Sequence, residues 1–355
     1  MQEIIVLVKT DYMSKSRGLF DEQIRLDKLS KKQDPLEKLS SHIDFEYFRK
    51  PLEKTLVKGV EKSKGGRPAY DVVMMFKILI LQRYYNVSDD AMEYAILDRL
   101  SFMRFLGLGI NDPVPDSKTI WLFRDTVRKL NLIDQLFTTL DNQLDKDGII
   151  VHKGKIIDAS IVEVPKQRNH RQEIDQLKEG TIPENWNENK IRQKDTDAQW
   201  TRKHFQNYFG YKNHIKVDSK TKLITRFQVT PANIADNHIA DSLLDKKEDG
   251  NQPLYGDSAY SSKELDKCYK RKGLINKVIK QGYRYKALTK TEKKINKKNS
   301  RIRGRIEHVF GFMTNSMNGM FLRYRNFIRN RIGIGLMNLT YNLFRLVQLN
   351  VELKK

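Results

Sequence analysis

The sequence predicts an α/β protein: an all-helical N-terminal domain followed by a domain built on a mixed five-stranded sheet flanked by helices. Three observations predict it. Apolar residues between positions 72 and 144 recur at helical spacing, and from Lys155 onward they give way to short β-branched runs. After an initial hairpin those runs alternate with helical segments.

Residues 1–65 are polar and mixed, and form an N-terminal extension leading into a basic, glycine- and proline-bearing joint at 62–68. The helical domain covers 66–150. Val72, Val73, Phe76, Leu79, Ile80 and Tyr84 give its first helix. Ser88 caps a second, with Asp89 and Asp90 in the turn where the helix dipole favours acids. Gly107 and Gly109 break the pattern. Asp116 or Ser117 then caps a helix through Trp121, Phe123 and Val127, and another crosses Ile133, Leu136, Phe137, Leu140 and Leu144 before Gly148. Lys118, Arg124 and Arg128 fall on one of these helices, which suits a helix-turn-helix DNA reader; a plain helical bundle has the same pattern.

The second domain covers 151–350. Residues 156–162 read as a strand, and 165–206 as a polar insertion without apolar period. Segments 208–217 and 223–229 form a hairpin around the turn 218–222, and a helix is expected from Asp236. A strand at 253–256 precedes a helix opened by a Ser261/Glu264 capping box, and 274–279 is the fifth strand. A basic stretch leads into a helix from about Arg301 to Arg325, and a last amphipathic helix runs through Ile332, Leu336, Leu339, Leu343 and Leu346. Three consecutive strands followed by alternating helices and strands is the order of the ribonuclease H fold.

Composition narrows the function. With 39% apolar and 10% aromatic residues the 355-residue chain can bury real cores and is not disordered. Lys and Arg number 66 against 44 Asp and Glu, a net charge of +22, and the clustering of the excess points to a polyanionic partner. The single cysteine, Cys268, excludes an internal disulfide and a cysteine zinc cluster and suits a reducing cytosol. The apolar run at 4–8 is short and follows Glu3, unlike a signal peptide, and no stretch approaches the roughly 18 apolar residues of a membrane span. A cytoplasmic protein is expected.

Three acids stand out. Asp158 lies mid-strand in an apolar run, where an ionised carboxylate costs several kcal/mol unless something positive meets it. Asp257 follows a strand and Gly256 at the carboxyl end, where ligand crevices of open α/β sheets form. Glu307 sits on a helix after the basic stretch. In a ribonuclease H-like sheet the first and fourth strands are neighbours and the late helix packs across them, so the three converge. Hard oxygen donors of this kind suit Mg²⁺ or Mn²⁺, and two such ions can clamp the attacking and leaving oxygens of a phosphoryl displacement. Each acid alone also has a structural reading: Asp158 paired to a buried Arg or Lys, Asp257 as part of a Gly-Asp turn, Glu307 paired to Arg303 at i−4. Within 280–305, Lys293, Lys294, Lys297, Lys298, Arg301, Arg303 and Arg305 would deliver a phosphate backbone to the metals, although such a run is often only a solvated face.

The segments Ile156-Ile-Asp-Ala-Ser-Ile-Val162, Asp197-Ala-Gln-Trp-Thr201, Phe209-Gly-Tyr-Lys-Asn-His214, Thr230-Pro-Ala-Asn-Ile-Ala-Asp236, Tyr255-Gly-Asp-Ser-Ala-Tyr260 and Arg303-Gly-Arg-Ile-Glu-His-Val-Phe310 resemble those of DDE transposases of bacterial insertion sequences, most closely the insertion sequence 5 family. Gly66-Arg-Pro-Ala-Tyr70 and Pro115-Asp-Ser-Lys-Thr-Ile-Trp121 resemble its helical N-terminal domain. The resemblance runs from about 65 to 345 and implies Asp158, Asp257 and Glu307 as metal ligands and catalytic residues, with Arg303 as a DNA contact. It also departs twice: Ser300 stands where a Tyr commonly precedes the Arg, and Thr314 where a Lys commonly follows the Glu, so that lysine's contact falls to another base such as Arg323 or Arg325.

The expected activity is a DNA transposase that binds its own terminal inverted repeats, cleaves by metal-activated water, and joins the 3′-hydroxyl to target DNA. A homodimer or larger assembly on double-stranded DNA, in the bacterial nucleoid, follows from cutting two ends together. The alternatives are a nuclease of the same fold without strand transfer, a domesticated DNA-binding protein without catalysis, and an RNA-binding factor, for which no aromatic stacking signature is visible.

Overall fold

A computed structural model describes residues 18, 20–56, 69–282 and 287–353; the joint expected at 62–68 lies outside them. The second domain is a mixed sheet. β1 (Lys155–Glu163) pairs antiparallel with β3 (Gln206–Asp218), which pairs antiparallel with β4 (Ile224–Pro231). On its other side β1 pairs in parallel with β5 (Pro253–Tyr255), and β5 with β6 (Ile275–Asn276). The path β4-β3-β1-β5-β6 puts the first strand beside the fourth of the expected five, which is the ribonuclease H arrangement.

The sheet has a sixth strand. β2 (Gln199–Lys203) pairs with the first residues of β3 and comes from the segment expected to be a plain polar insertion. That segment also holds the short helices Arg171–Lys178 and Glu188–Gln193. It is anchored by polar contacts that carry no hydrophobic period: Glu173 accepts from Trp186 Nε1 at 2.7 Å and Lys190 Nζ at 2.8 Å. Where β1 crosses β3, Gly210 is required. Its φ is +154°, and a Cβ there would stand 2.2 Å from the Val162 carbonyl oxygen.

Other boundaries differ from expectation for local reasons. The fifth strand shrinks to two residues, because Asn276 turns its side chain back to cap Val278 N. The helix after β5, Lys263–Arg271, is capped by Ser262, whose hydroxyl accepts from Leu265 N, and not by Ser261. The basic stretch is itself a helix, Lys290–Arg303, opened by a Thr289/Glu292 capping box. The chain then continues through Glu307–Gly311 to a π-type turn Phe312–Ser316 and leaves helix well before Arg325.

The N-terminal segment is not a loose extension. Helices Asp21–Lys31, Pro35–His42 and Arg49–Leu56 surround a short 3₁₀ turn Phe45–Phe48, and Leu36, Leu39, Ile43, Phe45, Phe48 and Leu52 are buried in the main core. They pack on Val72–Tyr85, a helix apolar on nearly all sides and accordingly buried on nearly all sides. The spine of the molecule is the helix Phe327–Gln348. It carries three buried asparagines, each committed: Asn330 donates to Asp195, Asn338 exchanges hydrogen bonds with Asn213 on β3, and Asn342 holds both backbone groups of Ile224 on β4. Apolar packing alone would tolerate a slip of this helix along the sheet; buried amides with specific partners do not.

If the N-terminal helices are part of the core, Phe48→Ala should cost about 3–5 kcal/mol. Phe48 is fully buried with its ring 5.2 Å from those of Tyr47 and Phe76. Urea unfolding followed by tryptophan fluorescence measures it; a loss under about 1 kcal/mol would mean a surface role.

Candidate active site

The parallel pairing of β1 and β5 builds the site. Ile156 lies opposite Tyr255, and continuing that register by two residues brings Asp257 level with Asp158. Gly256 allows the approach, since a Cβ there would meet Tyr260 Cδ2 at 3.2 Å and Ile157 Cγ1 at 3.4 Å. Asp257 then caps the turn Ser258–Tyr260, accepting from Ala259 N at 2.9 Å.

Asp158 is mostly buried. One carboxylate oxygen accepts from Ala159 N at 2.8 Å and the other from Arg303 Nη1 at 3.1 Å. Burial, reinforced by the charge of Asp257, pushes its pKa up to about 6, against the pull of the Ala159 amide, Arg303 and Lys203. Arg303 Nη2 meanwhile donates to Glu307 Oε1 at 2.7 Å. One guanidinium therefore joins the first and third acids, while the β1–β5 register, continued past its last pair, sets the second level with the first. Both expected pairings, Asp158 to an arginine and Glu307 to Arg303, are realised by the same residue. Glu307 remains 65% exposed on its side chain, open to a ligand from solvent.

Among the described residues no three Asp, Glu, His or Cys side chains are gathered closely enough to hold an ion as they stand. The donor set nevertheless fits a hard divalent cation: only carboxylate oxygens, an Asp158 whose proton affinity is raised by burial and then by the charge of Asp257, and a cation, Arg303, already drawn between Asp158 and Glu307.

The neighbours include residues that sequence reasoning left without a role. The Tyr260 hydroxyl is buried without a partner among the described residues, and its pKa is held far up by burial and then by the charges of Asp158, Asp236 and Asp257. Asp236 is itself held by Lys212 at 2.8 Å, and buried His214, bonded to Thr230 Oγ1, is kept neutral by burial with its pKa down to about 4. The signal was present in the sequence, since all of these residues fall in the motifs 209–214, 230–236 and 255–260. Their spacing alone assigns no chemistry.

The basic residues divide. Lys293, Lys294, Lys297, Lys298 and Arg301 are exposed on the helix that ends at Arg303. Arg305 instead donates to the Ser219 carbonyl at 2.7 Å and ties that helix to the β3–β4 turn. In the helical domain Lys118 is exposed, but Arg124 is enclosed: it grips Asp89 with both nitrogens, bonds Gln82, and lies over the Tyr324 ring. Arg128 is bonded to Asp125 at 2.7 Å. The helix Ser117–Lys129 thus turns Arg124 inward, where it holds structure and is not presented to a groove.

Comparison with known proteins identifies the family. The family described as "Transposase DDE domain" matches residues 151–343, and that described as "Transposase domain (DUF772)" matches residues 24–126. The chain belongs to the DDE transposases. It is a DNA transposase with a ribonuclease H-like second domain. Among solved structures, a piggyBac transposase synaptic complex with hairpin DNA aligns over 89% of this chain and 75% of that one, at 13% identity and a TM-score of 0.44. The DUF772 match starts at residue 24 and so takes in most of the N-terminal helices that composition made look like an extension. Among the described residues no helix of this transposase is long and apolar enough to cross a membrane.

The inward turn of Arg124 has a measurable consequence. Arg124→Ala should destabilise the protein by roughly 2 kcal/mol, less than the full cost of breaking a buried pair because both partners keep some solvent. Lys118→Ala should stay within about 0.5 kcal/mol of wild type. Thermal unfolding separates the two; equal stabilities would return Arg124 to the candidates for DNA contact.

Proposed function

We propose that this transposase cleaves the phosphodiester at the ends of its own insertion element and joins the freed 3′-hydroxyl to target DNA, with Asp158, Asp257 and Glu307 as the catalytic carboxylates. The observation that carries the proposal is the bridge from Asp158 through Arg303 to Glu307, beside Asp257. An arginine shared between acids on two distant segments marks a site of concentrated negative charge kept ready for a cation.

The three carboxylates would hold Mg²⁺ or Mn²⁺, two ions per site, which when bound supply Lewis-acid stabilisation of charge on the reacting phosphate oxygens. The chain's own residues do the rest. Arg303, partly exposed and shared between Asp158 and Glu307, would be the residue to meet a DNA phosphate if those carboxylates held a cation, its planar fork suiting two oxygens at once. The exposed lysines of Lys290–Arg303 hold the backbone alongside. The Tyr260 hydroxyl, kept neutral by burial and without a hydrogen-bond partner among the described residues, would be free to donate to a bound group. Cutting two ends together requires two copies, so a homodimer or larger assembly on terminal inverted repeats and target DNA is part of the proposal, as are a nucleoid location in the bacterial cytoplasm and membership of the insertion sequence 5 family. Lys118 serves as a contact of the helical domain with end DNA.

Asp158→Asn, Asp257→Asn and Glu307→Gln should each lower cleavage at least a hundredfold with DNA affinity within about threefold of wild type, because each removes a ligand and leaves the basic surface intact. Cleavage should also stop in EDTA and return with Mn²⁺. The assay is sequencing of DNA recovered after incubation with the element's flanking ends; a variant that cuts at the wild-type rate removes its residue from the site. Hydrolysed ends without joined product would favour a nuclease lacking strand transfer.

Neutralising Lys293, Lys294, Lys297 and Lys298 together should weaken binding to end DNA and random DNA alike. It should also flatten the dependence of log K on log salt by about one unit for each DNA phosphate no longer neutralised. Competition binding across a salt series is the measurement, and an unchanged slope would leave these lysines as solvated surface.

A further inference from the structure

A cavity of about 370 Å³ lies away from the three acids, between the helical domain and the segment 322–336. Its lining is strongly cationic. The acids in it, Asp89 and Asp125, are already engaged: Asp89 by Arg124, Asp125 by Arg128 and Lys129. That leaves Arg83, Arg323 and Arg325 as excess positive charge around one hollow, together with Arg329, which stands 3.9 Å from an Asp125 already paired to Arg128 and Lys129.

Arg83 is the unusual member. It stands in the last turn of the buried helix Val72–Tyr85, is only 5% exposed, and lines the cavity. Among the described residues its Nε and Nη2 have no hydrogen-bond partner. A guanidinium taken out of water without a carboxylate or carbonyl to receive its protons is costly, and burial together with the charge of Arg323 pulls its pKa down to about 10. It stays protonated at neutral pH all the same. An apolar residue of similar length would fill that place without the cost, so the unpaired donors call for a partner from outside.

We propose that this cavity is a phosphate-binding site, in which Arg83 at the floor and Arg325 and Arg329 at the rim receive the phosphate of a nucleotide unit. Nε and an Nη on one guanidinium form the planar fork that matches two phosphate oxygens. Arg325 and Arg329 are exposed, so they can close on a ligand without repacking the core. The cavity is larger than a bare phosphate needs and lies within the roughly 300–1,000 Å³ of small-ligand sites. Trp121, 45% exposed in its wall, offers a face on which a base can stack. The same chemistry accommodates two sources, a free nucleotide or one nucleotide of a DNA strand drawn out of its duplex. The assignment does not depend on the catalytic reading of Asp158, Asp257 and Glu307.

The test is thermal unfolding of the full chain, at fixed ionic strength and without divalent cations, against inorganic phosphate, a deoxynucleoside 5′-monophosphate and a short single-stranded oligonucleotide. Wild type should gain Tm with concentration. Arg83→Met and Arg325→Gln should each weaken the apparent affinity about tenfold or more, the worth of one charge-assisted hydrogen bond. Arg83→Met should also match or exceed wild-type Tm when no ligand is present, because it removes an unpaired buried charge. Should that variant not fold, Arg325→Gln and Arg329→Gln carry the test, both being exposed. Asp158→Asn should respond like wild type, which separates this site from the acids. A response dependent on these arginines with phosphate or the mononucleotide identifies a small-molecule site; one confined to the oligonucleotide identifies a DNA strand. No stabilisation by any of the three, or the wild-type response in the rim variants, overturns the proposal.

Discussion

Everything about the second domain turns on one carboxylate in the wrong place. Asp158 sits in the middle of a strand whose neighbours Ile156, Ile157, Ala159 and Val162 are buried, and its charge is uncomfortable enough to raise its proton affinity by about two orders of magnitude, from 3.8 to about 6. Relief comes first from the neighbouring Ala159 amide and then from Arg303, 145 residues away. For that contact to form, the end of the helix Lys290–Arg303 must lie across β1, and the following turn, which begins with Glu307, is brought over the same edge. Arg305, fastened to the Ser219 carbonyl, fixes the helix from its other side.

The two domains are then held as one body by shared packing. The helix Phe327–Gln348 lies against β4 of the sheet and against Val72–Tyr85 and Leu132–Lys146 of the helical domain, and residues of all of them belong to a single continuous core. Tyr84 stacks on Phe344 at 4.0 Å, and Phe137 meets Phe227 edge-on at 5.0 Å. Domain limits inferred from composition therefore mark changes in secondary structure more than separate folding units.

Much of the site was legible because it violates local rules. An aspartate inside an apolar strand, a Gly-Asp after a strand end, and a glutamate just past a basic helix are each visible one-dimensionally, and strand order was enough to set the first two at neighbouring parallel strands. Partnership over distance was not legible. Nothing near Arg124 in sequence shows that Asp89 will enclose it, nor does the pattern around Tyr260 show that its hydroxyl will be buried without a partner among the described residues. The polar insertion misled for a related reason: Glu173, Asp195 and Trp186 order it through hydrogen bonds, which leave no period to read. The N-terminal helices were legible in principle, with Leu36, Leu39 and Ile43 at helical spacing, but the surrounding lysines and glutamates outweighed them.

Arg303 also shows why structural and catalytic readings of these acids are not true alternatives. A mostly buried Asp158 with no counter-charge would destabilise the fold, so it needs a cation of its own, and Arg303 supplies it. A lysine would neutralise one acid as a point charge, whereas the guanidinium presents separate nitrogens to Asp158 and Glu307 and sets their separation. The pairing is also partly exposed, with the arginine at 21% and the glutamate at 65%, so it is held weakly enough to be exchanged for stronger ligands. The contact that steadies Asp158 is thus one that solvent can reach, made by the last residue of the basic helix Lys290–Arg303.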